Sequence, residues 1–391
     1  MYPRSFTTIA VTSILALLTA CNSTTNVAAE PARDTSAAGA SKLAPHSAAA
    51  DSASAPPATP PAPSTSPQPT LSPTEAANLV ATAEKCFADP RCDPAPAEDM
   101  YRRAADAGAK DVNCYQFYYG LDVHQDLPRA RACFERTVAA TKCDGSSPDL
   151  DRAYLAAMLI DAQGGPADPT RAMALFTGCY TDMTVQGLAE EAGKRAGLAP
   201  DRTLLDFCKD IGGTTITMRQ CSSVDGLKVE AMNRRVKREL STKLDDTGRV
   251  LEAKARAAWS AFADKQGQAY GDKYRGGTLQ SGAWADHRNA LERQRIEALL
   301  HLFEYKLSPG ADPALADRDL EKTYREASDG DAEHKKLLGA ARKAWTAYRD
   351  AEVAFYLHVF GEKLGKREVE RDVKATLAKK YQADLEDIIR P

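Results

Sequence analysis

No cysteine follows Cys221, so the last 170 residues of this 391-residue chain fold without disulfide or thiolate chemistry. No apolar run reaches the roughly 20 residues a helix needs to cross a bilayer. The stretch from Phe6 to Leu18 falls short of that and is interrupted by Thr and Ser. Charge of one sign does not accumulate either. Fifty-one basic residues face 54 acidic ones, the formal net charge is -3, and no long single-sign run occurs. That removes the electrostatic case for nucleic acid. Catalytic signatures are missing as well: there is no G-x-S-x-G elbow, P-loop, H-E-x-x-H or nucleotide-binding glycine pattern. No cysteine pair has the C-x2-x4-C spacing and the six His are scattered, so no metal is expected. Acidic pairs such as Asp245-Asp246 and Glu190-Glu191 read as solvated helix faces rather than as the carboxylates of a glycoside hydrolase. The expectation is a chain that is not an enzyme and carries no cofactor.

What is present begins with an export signal. Arg4 supplies a positive start, Phe6 to Leu18 the apolar core, and Leu18-Thr19-Ala20-Cys21 closes it. That tetrapeptide resembles the bacterial lipobox, which implies a signal peptide over 1–20 and a lipid on Cys21. Asn22 after the cysteine then implies the outer membrane, with the protein facing the periplasm and touching the membrane through its anchor alone. From 21 to 73 the chain is almost wholly Ala, Pro, Ser and Thr; residues 22–73 hold 10 of the 22 prolines and no aromatic side chain. Such a segment buries too little apolar surface to offset its ordering entropy and reads as a disordered tether.

Eight cysteines remain: Cys86, Cys92, Cys114, Cys133, Cys143, Cys179, Cys208 and Cys221. An even number in an oxidising compartment suggests up to four disulfides, and eight cysteines allow about 105 pairings. Cys86–Cys92 and Cys208–Cys221 are the expected short-range pairs.

Two internal repeats divide the rest. Asp126-Leu-Pro-Arg129-Ala130-Arg-Ala-Cys-Phe134 recurs 42 residues later as Asp168-Pro-Thr-Arg171-Ala172-Met-Ala-Leu-Phe176, and Tyr101-Arg-Arg-Ala-Ala-Asp-Ala-Gly108 is a weaker earlier copy. Each Asp is placed to cap a helix with Pro in its first turn. Each Ala lets a neighbouring helix approach, and the Phe four residues on fills the space between helices. With the amphipathic stretches upstream, Tyr115–Leu121 and Tyr154–Ile160, the unit is a helical hairpin. These motifs resemble Sel-type repeats, relatives of the tetratricopeptide solenoids, which implies a protein-binding scaffold over 74–205.

The second repeat is longer. Leu251-Glu-Ala-Lys-Ala255-Arg256-Ala-Ala-Trp259-Ser-Ala-Phe262-Ala-Asp264 aligns with Leu337-Leu-Gly-Ala-Ala341-Arg342-Lys-Ala-Trp345-Thr-Ala-Tyr348-Arg-Asp350 at an offset of 86, which also pairs Tyr270 with Tyr356 and Leu291 with Leu377. Leu337, Ala341, Ala344, Tyr348, Ala351 and Phe355 keep one helix face apolar over five turns. The spacing predicts helices near 225–243, 248–270 and 286–305, then 313–327, 332–361 and 367–388, a helical bundle.

The segment from Ala344 to Phe355, with its Trp345-x-x-Tyr348-x-Asp350 core, resembles the signature of the LprI-like lysozyme inhibitors. The Gly276-Gly277 loop and following helix fit that family in the first copy, and Cys208 and Cys221 fall where its first cysteines fall. The resemblance implies two tandem copies, 206–305 and 306–391. Val353 stands where a Cys is usual and no Cys follows Trp284, so the usual long-range disulfides are missing. The fold expected is all-α, a hairpin solenoid followed by a bundle.

Arg256, Trp259, Arg342 and Trp345 form a repeated quartet whose i, i+3 spacing lays a guanidinium stem over an indole, a packing role. Tyr270, Tyr274, Leu279 and Trp284 instead flank a glycine-rich turn, and exposed aromatics on a mobile loop suit protein recognition. His287 reads as an exposed helix residue. The function the resemblance implies is steric inhibition of a lysozyme-like peptidoglycan hydrolase, in defence or as immunity to a secreted toxin. Immunity to another periplasmic effector such as a phospholipase, or an envelope scaffold without inhibition, are the alternatives.

Overall fold

Helix starts in this chain are marked by an acceptor side chain followed by proline, and the computed structural model shows them working. It describes residues 71–142, 149–176, 179, 182–195, 204–211 and 215–389. The signal segment, Cys21, the tether up to residue 70 and Cys143 lie outside these. Ser72 caps α1 (Pro73–Ala88) in a capping box with Glu75, Asp93 caps α2 (Pro94–Asp106), and Asp126 caps α4 (Leu127–Ala140) after the short α3 (Cys114–Tyr119). Each cap satisfies amide groups that the first turn leaves without a helical partner. Next come α5 (Leu150–Ile160), α6 (Pro169–Phe176) and α7 (Asp182–Arg195). Asp168 accepts the amide of Arg171 at 2.9 Å, the same cap that Asp126 provides for Arg129 at 3.1 Å.

The first body is a row of hairpins, α1 against α2, α3 against α4 and α5 against α6. Ala130 and Ala172 are fully buried where helices meet, with Phe134 and Phe176 filling the space beside them. Phe134 stacks on Tyr154 (centroids 5.9 Å, planes 19° apart) and meets the edge of Tyr115. Truncating such a ring to Ala costs about 3–5 kcal/mol. Gly164, at φ +71°, closes the α5–α6 turn. A Cβ there would lie 2.3 Å from the Leu127 carbonyl oxygen, so no other residue fits.

Disulfides staple this body. Cys86–Cys92 joins the end of α1 to the loop before α2, and Cys114–Cys133 crosslinks α3 to α4. Cys208–Cys221 ties a π-helical turn (Phe207–Ile211) to α8 (Thr215–Lys243). Cys179 is disulfide-bonded too.

The second body follows with α9 (Asp246–Asp272), α10 (Gln280–Leu300), α11 (Pro313–Ala327), α12 (Ala332–Leu364) and α13 (Lys366–Ile389). Two trios repeat one contact pattern. α8 and α9 both pack on α10, α11 and α12 both pack on α13, and the two middle helices α9 and α12 pack on each other. The helices run longer than the periodicity predicts, chiefly at the starts of α8 and α10. Among the described residues there is no strand, and no helix is long and apolar enough to cross a membrane.

One apolar cluster runs from Val80 to Val224 and a second from Val229 to Ile388, so the division falls inside α8, beyond the 205/206 boundary expected from sequence. Cys208 and Cys221 pack on the first cluster, which is why this stretch sides with the first body. α8 binds both bodies together. Arg234 donates from Nε to Asp122 at 2.8 Å, and Arg238 donates to the Phe87 carbonyl at 3.2 Å.

Candidate functional site

The repeated quartet sits in the core. Trp259 and Trp345 are 6% and 2% exposed, on the faces where α9 and α12 meet their neighbours. Arg342 lies 5.1 Å over the Trp345 ring and Arg349 lies 5.0 Å over it, so two guanidinium groups cover that indole. The first copy differs. Arg256 turns to Glu252, with Nε donating at 3.0 Å, and Trp259 donates its own N–H to Glu292 at 3.0 Å. Glu252 is buried on α9 one turn before Arg256, so it captures the guanidinium that the spacing alone would lay on the ring. Tyr348 is buried against Phe262, and Asp350 stands exposed beside Arg349. These residues hold the bundle together and leave little for a partner to touch.

The turn between α9 and α10 is different. Gly267 and Gly271 leave α9 bare on one side, and Trp284 lies in that gap. A Cβ on Gly267 would approach Trp284 Cδ1 to 2.6 Å, and one on Gly271 would come within 3.0 Å of its Cβ. The indole is thus held flat on the glycines yet remains 36% exposed. Leu279 at 37% and Met218 of α8 at 40% are the other large apolar side chains exposed here.

Two grooves flank the turn. One, of about 360 Å³, is lined by Met218, Tyr270, Tyr274, Leu279 and His287. The other, of about 790 Å³, is lined by Trp284, Arg219, Arg275, Glu333 and Leu337. The structure therefore places Tyr270, Tyr274 and Leu279 along one groove and Trp284 along the other. Sequence reasoning missed Met218 and Arg219, which reach the turn from a helix start ten residues upstream of the one expected.

The turn is fastened rather than loose. Arg275 donates from Nε and Nη2 to Asp272 at 2.6 Å each, and Nη2 also reaches Asp331 at 3.2 Å. Asp331 caps α12 by accepting the His334 amide at 2.8 Å, and His334 Nδ1 lies 3.0 Å from Asp272. Arg275 holds the Asp331 carboxyl down at about 2, with help from the His334 amide. An aromatic edge pre-positioned in this way loses little freedom on binding a partner.

His287 corrects the expectation of an exposed residue. It is buried, its ring stacks on Tyr270 (centroids 4.2 Å, planes 4° apart), and Nε2 has no hydrogen-bond partner. Burial pushes its pKa down to about 4, so the ring is neutral near pH 7. Tyr270 is accordingly half-buried and supports its groove from beneath, while Leu279 and Trp284 form the exposed apolar edge of the turn.

Among the described residues, no group of three or more His, Cys, Asp or Glu could hold a metal ion. No curated protein and no solved structure matches the chain. Residues 310–385, which span α11, α12 and most of α13, match the family model described as Lysozyme inhibitor LprI, so this half of the bundle is similar to an inhibitor family rather than an enzyme family.

Proposed function

We propose that this chain binds and inhibits a lysozyme-like peptidoglycan hydrolase, held by a lipid on Cys21 at the periplasmic face of the outer membrane. The observation that carries this reading is the match of residues 310–385 to the Lysozyme inhibitor LprI family. α8–α10 repeat the helix order and contacts of α11–α13, and the 86-residue offset links their sequences, so we read the bundle as two copies of that unit. The first copy alone carries the glycine-seated Trp284 and the exposed Leu279. Inhibition needs no chemistry of its own: a fixed apolar rim entering an enzyme cleft excludes substrate by volume. Hot-spot residues are typically aromatic anchors ringed by grooves that shed water, and Trp284 fits that description.

The test is a muramidase assay with the purified protein against several lysozyme classes. The expected result is stoichiometric inhibition of at least one. Combining Leu279→Ser with Trp284→Ala should abolish it while helicity is retained. If no lysozyme class is inhibited, the reading is wrong.

A further inference from the structure

The 86-residue offset pairs Leu251 with Leu337 and Leu299 with Leu385 with no gap between, so each residue of the exposed turn has a counterpart in the second copy. The two copies part company there. α10 and α13 start at matching positions, Gln280 and Lys366, yet α9 stops at Asp272 whereas α12 continues to Leu364. Gly276 and Gly277 stand where α12 has Glu362 and Lys363, and Gly276, at φ +76°, takes the left-handed path that a helix cannot. Gly267 and Gly271, the seat of the indole, stand where α12 has Val353 and Leu357, and Trp284 stands where α13 has Glu370. Bulk has moved from α9 to α10, and the ring that carries it faces solvent.

α8 adds to the same place. It runs 29 residues against 15 for α11, and its first turns bring Met218 and Arg219 to the two grooves. A Cβ on the buried Gly282 would lie 3.9 Å from Arg219 Cα, so α8 and α10 touch there and Arg219 lines the groove beside Trp284. The other charged side chains of that groove are engaged within the chain. Asp272 meets Arg275 and His334, Arg275 also meets Asp331, and Glu333 meets Lys336. Arg219 is exposed and has no hydrogen bond or ion pair to any described residue. Arg219, Leu279 and Trp284 are all open to solvent, so a partner can reach each of them.

A free guanidinium beside an apolar edge defines what the partner must bring. Covering it without an anion would strip its water and return nothing, so the partner carries a carboxylate at that point. Arginine suits such a pair, because its fork meets both carboxylate oxygens and is weakly hydrated. Lysozyme-like hydrolases hold two catalytic carboxyl groups in their cleft, one of which must keep a proton to give to the leaving group. A cation beside that acid favours its ionised form and takes the proton away.

Resting on the inhibitor reading above, we propose that Arg219 forms an ion pair with a catalytic carboxylate of the bound hydrolase, while Leu279 and Trp284 fill the cleft beside it. Inhibition is then electrostatic as well as steric.

The probe is the lysozyme that the muramidase assay finds inhibited, together with its two variants in which one catalytic carboxylate is changed to the amide. The full chain is used throughout, and binding to the inactive amide forms is measured by calorimetry. Arg219→Gln should keep the parent's helicity, since the side chain has no partner to lose, and should weaken inhibition about tenfold or more. Arg219→Lys should recover part of that loss and Arg219→Glu should deepen it. The parent should bind one amide form of the enzyme more weakly than the native enzyme, and Arg219→Gln should show no such difference. Equal inhibition by the parent and Arg219→Gln overturns this inference and leaves the inhibitor reading standing. Independent losses from the two sides of the pair do the same, because the charges then do not meet. A parent that inhibits no lysozyme overturns both.

Discussion

Phe262 and Tyr348 stack face to face at the crossing of α9 and α12, with centroids 6.0 Å apart and planes 4° apart. They occupy matching positions in the two trios, so each half of the bundle offers an aromatic ring to the other from the same place. Trp259 meets the edge of Tyr348 at 4.7 Å and Tyr381 meets the edge of Phe262 at 5.3 Å, which extends the ring contact along both helices. With no cysteine in this half, these rings replace a covalent tie. Phe262→Ala is expected to cost about 3–5 kcal/mol of unfolding free energy, from lost burial and the cavity left behind. A double-mutant cycle with Tyr348→Ala should return a coupling of about 0.5–1.5 kcal/mol, measured by urea melts. Strict additivity would show that the stacked geometry contributes nothing beyond area.

Gly267→Ala should displace Trp284. The added methyl would lie 2.6 Å from the indole, and α9 cannot retreat because its other face packs on α12. Because the indole sits at the rim, it can swing outward, so the stability loss should stay near about 1–3 kcal/mol. Trp259 and Trp345 remain buried, so a red shift of tryptophan emission would report Trp284 alone. On the proposed reading, the same variant should also weaken inhibition of a lysozyme. Unchanged emission would mean that the glycines do not set the position of the ring.

His287 should titrate far below an ordinary imidazole. Its folded pKa is depressed to about 4 from 6.5 because the ring is buried against Tyr270. Between these values the unfolded chain binds a proton that the folded chain does not. The neutral ring's contribution is therefore complete above about pH 6.5 and is lost as pH falls toward 4. Following the His287 ring protons by NMR should give a midpoint near 4. A midpoint near 6.5 would place the ring in solvent.

Much of this architecture was legible because helices write their periodicity and caps locally. Asp126 and Asp168 announced their helices, and the apolar stripe from Leu337 to Phe355 gave α12 to within three residues at its end. What failed depended on partners distant in the chain. His287 looked exposed because the ring that stacks on it, Tyr270, lies seventeen residues earlier on α9. The glycines before Trp284 looked like a plain turn, yet α10 begins at Gln280, so Gly282 lies inside the helix and is buried. Cys114–Cys133 could not be read from spacing, since the pairing depends on how α3 folds back on α4.

Asp384 gives the bundle a pH dependence opposite to that of His287. Its carboxyl is raised from 3.8 to about 7, chiefly by burial and then by Asp387. Between those values the folded chain keeps a proton that the unfolded chain has released, so stability falls as pH rises through the window and levels off above about 7. One such group sets a slope of at most about 1.4 kcal/mol per pH unit. Glu252 is also raised, to about 7, by burial against the opposing pull of Arg295, and it adds to the same trend. Asp384→Asn removes one of the two contributions and leaves the other. Urea melts across this range should therefore give a shallower decline in the variant than in the parent, with the greatest gain in stability at the alkaline end. If the two profiles run parallel, Asp384 ionises in the folded state as freely as in water.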